Sequence, residues 1–184
     1  LFVISYSKVE TIKHTLTGKT FHSNVERSER LKSIIEDSGD QILILPLQGY
    51  LFFGSANRLL EYIKAYLQSD DGGELKYLVF DLRQVTGVDS STINSFNKLQ
   101  ILAALNDFTV LFCDLTSQIS AQFEAEGLFD DSGDGSYLTF EDLDHGMEWC
   151  EEQIIADKIK DPHDRANEIK LFESQFSDLL PYFE

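Results

Sequence analysis

The chain has 184 residues, 42% hydrophobic and 12% aromatic, enough for one domain with a substantial core plus extensions. Fifteen Lys and Arg against 32 Asp and Glu give a formal charge of −17, so the basic footprint that a phosphate backbone needs is missing and nucleic acid is excluded as a partner. Two cysteines and no run of ~20 apolar residues exclude a disulfide scaffold and a membrane-spanning helix within these residues.

Phe2, Ile4 and Tyr6 alternate as on a half-buried strand, and Leu16 to Phe21 reads as a tight reversal around Gly18. Arg27 to Ser38 predicts a short helix with Leu31, Ile34 and Ile35 on one side, stopped at Gly39. The apolar strand 42–47 contains Pro46, which cannot donate to a ladder and predicts an edge position or a bulge. Ser55 is expected to cap a helix with apolar residues at 56, 59, 60, 63 and 67, ended by the turn chemistry of Asp70 to Gly73. Leu75 to Leu82 is a near-continuous apolar run, as on a central strand covered on both faces. A helix from about Ser91 to Asn106 is expected to align Ile93, Phe96, Leu99, Leu102 and Leu105. Phe108 to Cys113 predicts a second buried strand, and Thr116 caps a helix with Ile119 and Phe123 inside, ending at Gly127. Tyr137 to Phe140 is a short strand, and the next helix aligns Leu143, Met147, Cys150 and Ile154. Cys113 and Cys150 both fall in apolar patterns and are expected to be buried, reduced thiols. Beyond Asp161-Pro162, residues 165–180 predict a separate amphipathic helix with Ile169, Phe172, Phe176 and Leu179. The first residue is Leu1, the one methionine is Met147 and the chain stops in an apolar cluster, which reads as a piece of a longer polypeptide.

Strands alternating with helices at these spacings predict an α/β fold, a mixed and mostly parallel sheet flanked by helices, with right-handed crossovers. Residues 1–157 are expected to form one domain, with N-terminal strands and a short helix over 1–39 and a core over 40–157. Residues 158–184 then form a linker and connector helix, leading to a further domain. Charge is uneven along this plan. Residues 1–32 hold six bases and three acids, whereas 124–152 holds eleven acids and no base. The acidic stretch reads first as a solvated face that keeps the chain soluble. A second reading sets the basic N-terminal segment against an anionic membrane surface.

The segment Val85-Thr86-Gly87-Val88-Asp89-Ser90-Ser91-Thr92 follows the central strand and opens a helix, where free N–H groups and the positive end of the helix dipole converge. Asp89 or Ser90 serves as its cap. Alternatively an exposed Ser90 hydroxyl accepts a phosphate, which a helix start tolerates and which would repel a partner presenting carboxylates. A second pattern competes for attention. Asp130, Ser132, Asp134, Gly135 and Glu141 have the spacing of an EF-hand loop. Ser132 is a poor third ligand, Asp142 stands where an apolar residue is expected, no second loop pairs with it, and a strand is expected inside it. No metal is therefore assigned. His14, His22, His145 and His163 lack metal-ligand spacing, and no nucleophile elbow, P-loop or dinucleotide fingerprint occurs, so no catalytic residue and no cofactor is assigned.

The elements Tyr77-Leu78-Val79-Phe80-Asp81 through Val88-Asp89-Ser90-Ser91, together with Leu47-Gln48-Gly49-Tyr50-Leu51-Phe52-Phe53-Gly54-Ser55-Ala56-Asn57, resemble the STAS domain. This fold is shared by sulfate transporters and anti-sigma-factor antagonists. The second segment, and 140–151, look like the version at the cytoplasmic C-terminus of bacterial sulfate permease (SulP) anion transporters, over roughly residues 40–156. The resemblance implies a cytosolic, non-catalytic regulatory and protein-interaction domain of a membrane transporter for sulfate, bicarbonate or a dicarboxylate. It implies the transmembrane domain of the same transporter as a partner, with a cytosolic regulator or downstream domain as further partners and oligomerisation through the parent transporter. The place of the phosphorylated serine in the antagonists falls on Ser90; the family's glycine is Thr92 here, so the acceptor stays open among Ser90, Ser91 and Thr92. Gly54, Ser55, Asn57, Asp89, Ser90 and Ser91 are the expected contacts for a partner or anion. The alternative functions are a free-standing antagonist-like partner-switching protein phosphorylated on serine, and a nucleotide or anion sensor using the same helix start.

Overall fold

A computed structural model describes residues 11–69, 72, 74–129 and 137–160. The expected strand over 2–6, the connector helix over 165–180, and Asp130, Ser132 and Asp134 lie outside the described residues.

The described elements are β1 (Leu16–Thr17), α1 (Glu29–Asp37), a 3-10 turn (Gly39–Gln41), β2 (Ile42–Leu51), α2 (Phe53–Leu67), β3 (Tyr77–Val88), α3 (Ser90–Asn106), β4 (Thr109–Cys113), α4 (Ser117–Ala125), β5 (Leu138–Phe140) and α5 (Leu143–Lys158). They make a five-stranded mixed α/β sheet in the order β1-β2-β3-β4-β5. β1 is antiparallel to β2 and the remaining neighbours are parallel.

Strand side chains alternate between the two faces. On one face Leu43, Leu45, Leu78, Phe80 and Phe112 meet the inner faces of α2, α3 and α4. On the other, Ile42, Ile44, Val79, Leu111 and Cys113 meet Leu143, Met147, Cys150 and Ile154 of α5. Phe112 is the hub of the first layer, with ring centroids of Phe80, Phe96, Phe123, Phe129 and Tyr137 at 4.9–6.0 Å. Both cysteines are buried and unpaired, and desolvation pushes the Cys113 thiol up to about 12, as it raises that of Cys150.

Of the local expectations, one resolves to the second of its alternatives, a bulge at Pro46, and two change. β2 is not an edge strand; Pro46 is accommodated by a register irregularity between Pro46 and Gln48. Its carbonyl accepts the Lys13 N–H at 3.0 Å, so the missing donor lies toward the N-terminal segment and the ladder to β3 is spared. On α3, Leu105 is 78% exposed and Ala103 is buried in its stead. Steps of three residues drift about 60° each around a helix, so a stripe begun at Ile93 and Phe96 continues through Leu99 and Ala103. Finally, α2 begins at Phe53, two residues before Ser55, with Phe52 as N-cap.

Three of the N-terminal cations are paired with acids. Lys19 meets Asp40, Lys32 lies 3.3 Å from Glu29, and Arg27 Nη1 meets Glu151 Oε2 at 2.7 Å. Of these, the Lys19 and Arg27 pairs tie the segment to the 3-10 turn and to α5, whereas the Lys32 pair lies within α1.

Candidate functional site

β2 and β3 continue as a two-stranded ribbon past Asp81, which is opposite the last residue of β4, Cys113. The ribbon ends with Leu51 opposite Val88, so the helices that follow, α2 and α3, start side by side. Val85 to Val88 belong to this strand, although Arg83, Gln84 and Thr86 break its apolar pattern by facing solvent.

Hydrogen bonds fasten the two starts together. Leu51 O accepts the Asp89 N–H at 2.9 Å and the Thr92 hydroxyl at 3.0 Å. Asp89 is the N-cap of α3: its Oδ1 accepts the Thr92 N–H at 2.9 Å, the Thr92 hydroxyl at 3.0 Å and the Ser91 hydroxyl at 2.6 Å. The backbone N–H of Phe53, the first residue of α2, adds a smaller favourable pull on its carboxylate. Partial burial pushes the Asp89 carboxyl upward, but these donors outweigh it and hold the group below the usual carboxylate range. Across the gap, Ser55 accepts the Phe52 N–H at 2.8 Å and donates to Phe52 O at 2.9 Å, closing the first turn of α2 from the N3 position.

The candidate residues therefore divide by direction. Ser55 is 2% exposed and Thr92 is fully buried, and both hydroxyls are spent on the backbone. Ser91 is half-buried and bonded to Asp89. Ser90 at the first helical position faces solvent, and among the described residues no base contacts its hydroxyl. Gly54 and Asn57 are half-buried. Two aromatic rings frame the corner: Phe53 is 60% and Tyr50 42% exposed. Tyr50 lies over Gly87, where a Cβ would come within 2.8 Å of its ring, and its hydroxyl donates to Val88 O at 3.0 Å. This is a rigid, partly aromatic surface bearing one free hydroxyl, suited to docking and to modification by another protein. It holds no assembled proton relay or nucleophile.

The Asp89 cap carries a measurable load. Asp89→Ala is expected to cost about 1–2 kcal/mol in urea unfolding at pH 7. A carboxyl lowered in the folded state stabilises above its unfolded value of about 4, and that contribution is lost as the pH falls through the lowered value. The gap between wild type and variant should therefore begin to narrow as the pH falls below about 4; a pH-independent gap would contradict the charged cap.

Glu141 follows β5, and Leu138–Phe140 pair with Leu111–Cys113 as a strand inside the stretch that matched calcium-loop spacing. Among the described residues no cluster of three or more His, Cys, Asp or Glu is placed to hold a metal. No helix among them is long and apolar enough to cross a membrane.

Sequence reasoning missed a second polar centre. Glu151, 1% exposed, accepts Ser23 N–H at 2.9 Å, Ser23 Oγ–H at 2.5 Å and Arg27 Nη1 at 2.7 Å. Arg27 Nη2 reaches Glu152 at 3.2 Å. A depression of about 310 Å³ lined by His22, Arg27, Lys32 and Glu36 opens beside it. The available signal was a carboxylate four residues after Met147 on the buried face of a helix.

A family model described as STAS domain matches residues 33–144. The vacuolar basic amino acid transporter VSB1 of Saccharomyces cerevisiae is 26% identical over 162 residues, covering 84% of this chain and 15% of that protein. Among solved structures, a sulfate transporter family protein from Wolinella succinogenes superposes with a TM-score of 0.51 at 16% identity, over 62% of this chain and 88% of that one. The murine anion transporter Slc26a9 superposes with 0.52 at 18% identity, over 61% of this chain and 18% of the transporter. The chain thus spans about one-sixth of the length of the yeast and mouse transporters that it matches.

Proposed function

This chain belongs to the STAS domain family, and on that premise we propose that it is the cytosolic, non-catalytic regulatory domain of a membrane transporter for sulfate or a related anion. Residues 1–157 act as the domain and 158–184 as its connector. The partners are the transmembrane portion of the same polypeptide and a cytosolic regulator or downstream domain. The carrying observation is the pair of fastened helix starts, whose solvent face offers Tyr50, Phe53, Gly54, Asn57 and Ser90 while Asp89, Ser55 and Thr92 are used to hold it in shape. A partner that meets this corner differently in two transporter states would bias transport between them. Relatives named for sulfate and for basic amino acids support a transporter role without tying the domain to one solute.

The test is transport by the polypeptide that carries this chain, reconstituted in vesicles. Phe53→Ser, chosen because the ring is exposed and its loss leaves the core intact, should change sulfate uptake at least about threefold with an unchanged melting temperature. Uptake equal to wild type overturns the docking role of the corner.

The exposed Ser90 hydroxyl favours a second reading, a partner-switching protein phosphorylated on that serine. A dianion beside the helix start and next to the Asp89 carboxylate would make the corner strongly anionic. Mass spectrometry of the protein purified from its host decides it: a phosphate on Ser90, absent from Ser90→Ala, supports this reading, and an unmodified peptide under all growth conditions overturns it.

A further inference from the structure

We infer that the hollow beside Arg27 and Glu151 is a binding site, and that its ligand is a small aliphatic organic cation, an amine or a guanidine. Residues 22–27 form one wall, α1 supplies Lys32, Ile35 and Glu36, and α5 supplies Glu151. The volume of about 310 Å³ lies at the lower end for small-molecule sites and suits a free molecule of that class. Ile35, buried, and Val25 give the lining apolar surface against which a methylene chain packs.

Charge sets the class of ligand. Arg27 meets two carboxylates, Glu151 at 2.7 Å and Glu152 at 3.2 Å, and Lys32 stands between Glu29 at 3.3 Å and Glu26 at 3.8 Å. Glu36, also in the lining, is exposed and makes no ion pair among the described residues. Five carboxylates thus stand against two permanent cations, and a charged His22 would still leave an excess of two. An anion such as sulfate or a nucleotide finds no base here that is not already matched. Behind these groups lies Glu151, 1% exposed, so water and salt screen its charge less than that of a surface acid. Its Oε2 takes Arg27 Nη1 and the Ser23 hydroxyl, whereas among the described residues Oε1 takes the Ser23 N–H alone, at 2.9 Å. The His22 ring nitrogen is 3.7 Å from Oε1, beyond hydrogen-bond reach. A carboxylate oxygen carries two lone pairs, so Oε1 keeps acceptor capacity for a donor that enters the hollow. Among the described residues no three His, Cys, Asp or Glu are grouped to ligate a metal, so the arrangement selects an organic cation. This site does not depend on the role proposed for the helix-start corner.

The test uses the whole chain, with 1,5-diaminopentane and agmatine as probes and glutarate and magnesium chloride as controls. Binding is measured by titration calorimetry and mapped by amide chemical shifts. The expected result is saturable binding of an amine with a Kd of about 1 mM or tighter, and shifts centred on His22 to Arg27, Lys32 to Glu36 and Glu151. Glu26→Gln with Glu36→Gln removes two exposed carboxylates and spares the buried pair. The double variant should keep its melting temperature within about 3 °C and bind at least about tenfold more weakly. Glutarate, of similar length and opposite charge, should not bind. Weaker amine binding than this, shifts spread over the other acidic surfaces, an equal response to magnesium, binding of glutarate, or indifference to the double substitution overturns the proposal. Phe53→Ser should leave amine binding unchanged, which separates this outcome from that of the transport experiment.

Discussion

Replacing Glu151 with alanine is expected to remove about 3–5 kcal/mol of folding stability, because it leaves the Arg27 guanidinium buried without its counter-charge. Arg27 is 5% and Glu151 1% exposed, so little solvent is available to take over the lost bonds. The carboxylate accepts three hydrogen bonds from Ser23 and Arg27, across 124 residues or more of chain, and they bind the segment before α1 to the middle of α5. Urea unfolding reads the loss as a lower midpoint at unchanged slope. Limited proteolysis should show earlier cleavage at Arg27 and Arg30, as the segment detaches before the sheet unfolds. The pair can be replaced where it cannot be halved: Arg27→Met with Glu151→Leu should recover most of the stability. A Glu151→Ala loss below 1 kcal/mol would mean that the pair is no more than a surface bridge.

Phe112→Ala should be comparably severe, at about 3–5 kcal/mol. The side chain is fully buried on β4 and touches five other rings, three of them on or beyond the helices that cover the sheet, so removing it opens a void that no single neighbour can fill. Each lost ring pair adds to the area lost from burial. The melting temperature should fall by about 10 °C or more. Phe112→Leu, which keeps most of the volume, should lose less than half as much. Equal losses for the two variants would show that the cost is not that of a cavity.

The parallel strands were legible because they are continuous apolar runs, and the helices because Leu59, Leu60, Ile63, Met147, Cys150 and Ile154 recur at helical spacing. What was illegible has physical reasons. Ser55 is a good cap by type, yet at N3 it reaches back to Phe52, a geometry that sequence alone does not separate from capping. β3 reads as ending at Leu82 because Arg83, Gln84 and Thr86 face water while Val85 and Val88 still face the core. The nearness of the two helix starts follows from alternating strands and helices; the inward use of Thr92 does not, because its partner, Leu51 O, is 41 residues away. The bond between Arg27 and Glu151 is more distant still, and an acidic chain offers 32 equally plausible carboxylates.

The carbonyl of Leu51, at the end of β2, accepts two donors from the start of α3, while the Phe53 N–H at the start of α2 exerts a favourable pull on the Asp89 carboxylate. Opening the first turn of α3 thus strips bonds from the strand end that leads into α2. Amide exchange at Phe53, Asp89 and Thr92 should therefore proceed at one common opening free energy, and a ligand that touches one turn should slow exchange in both.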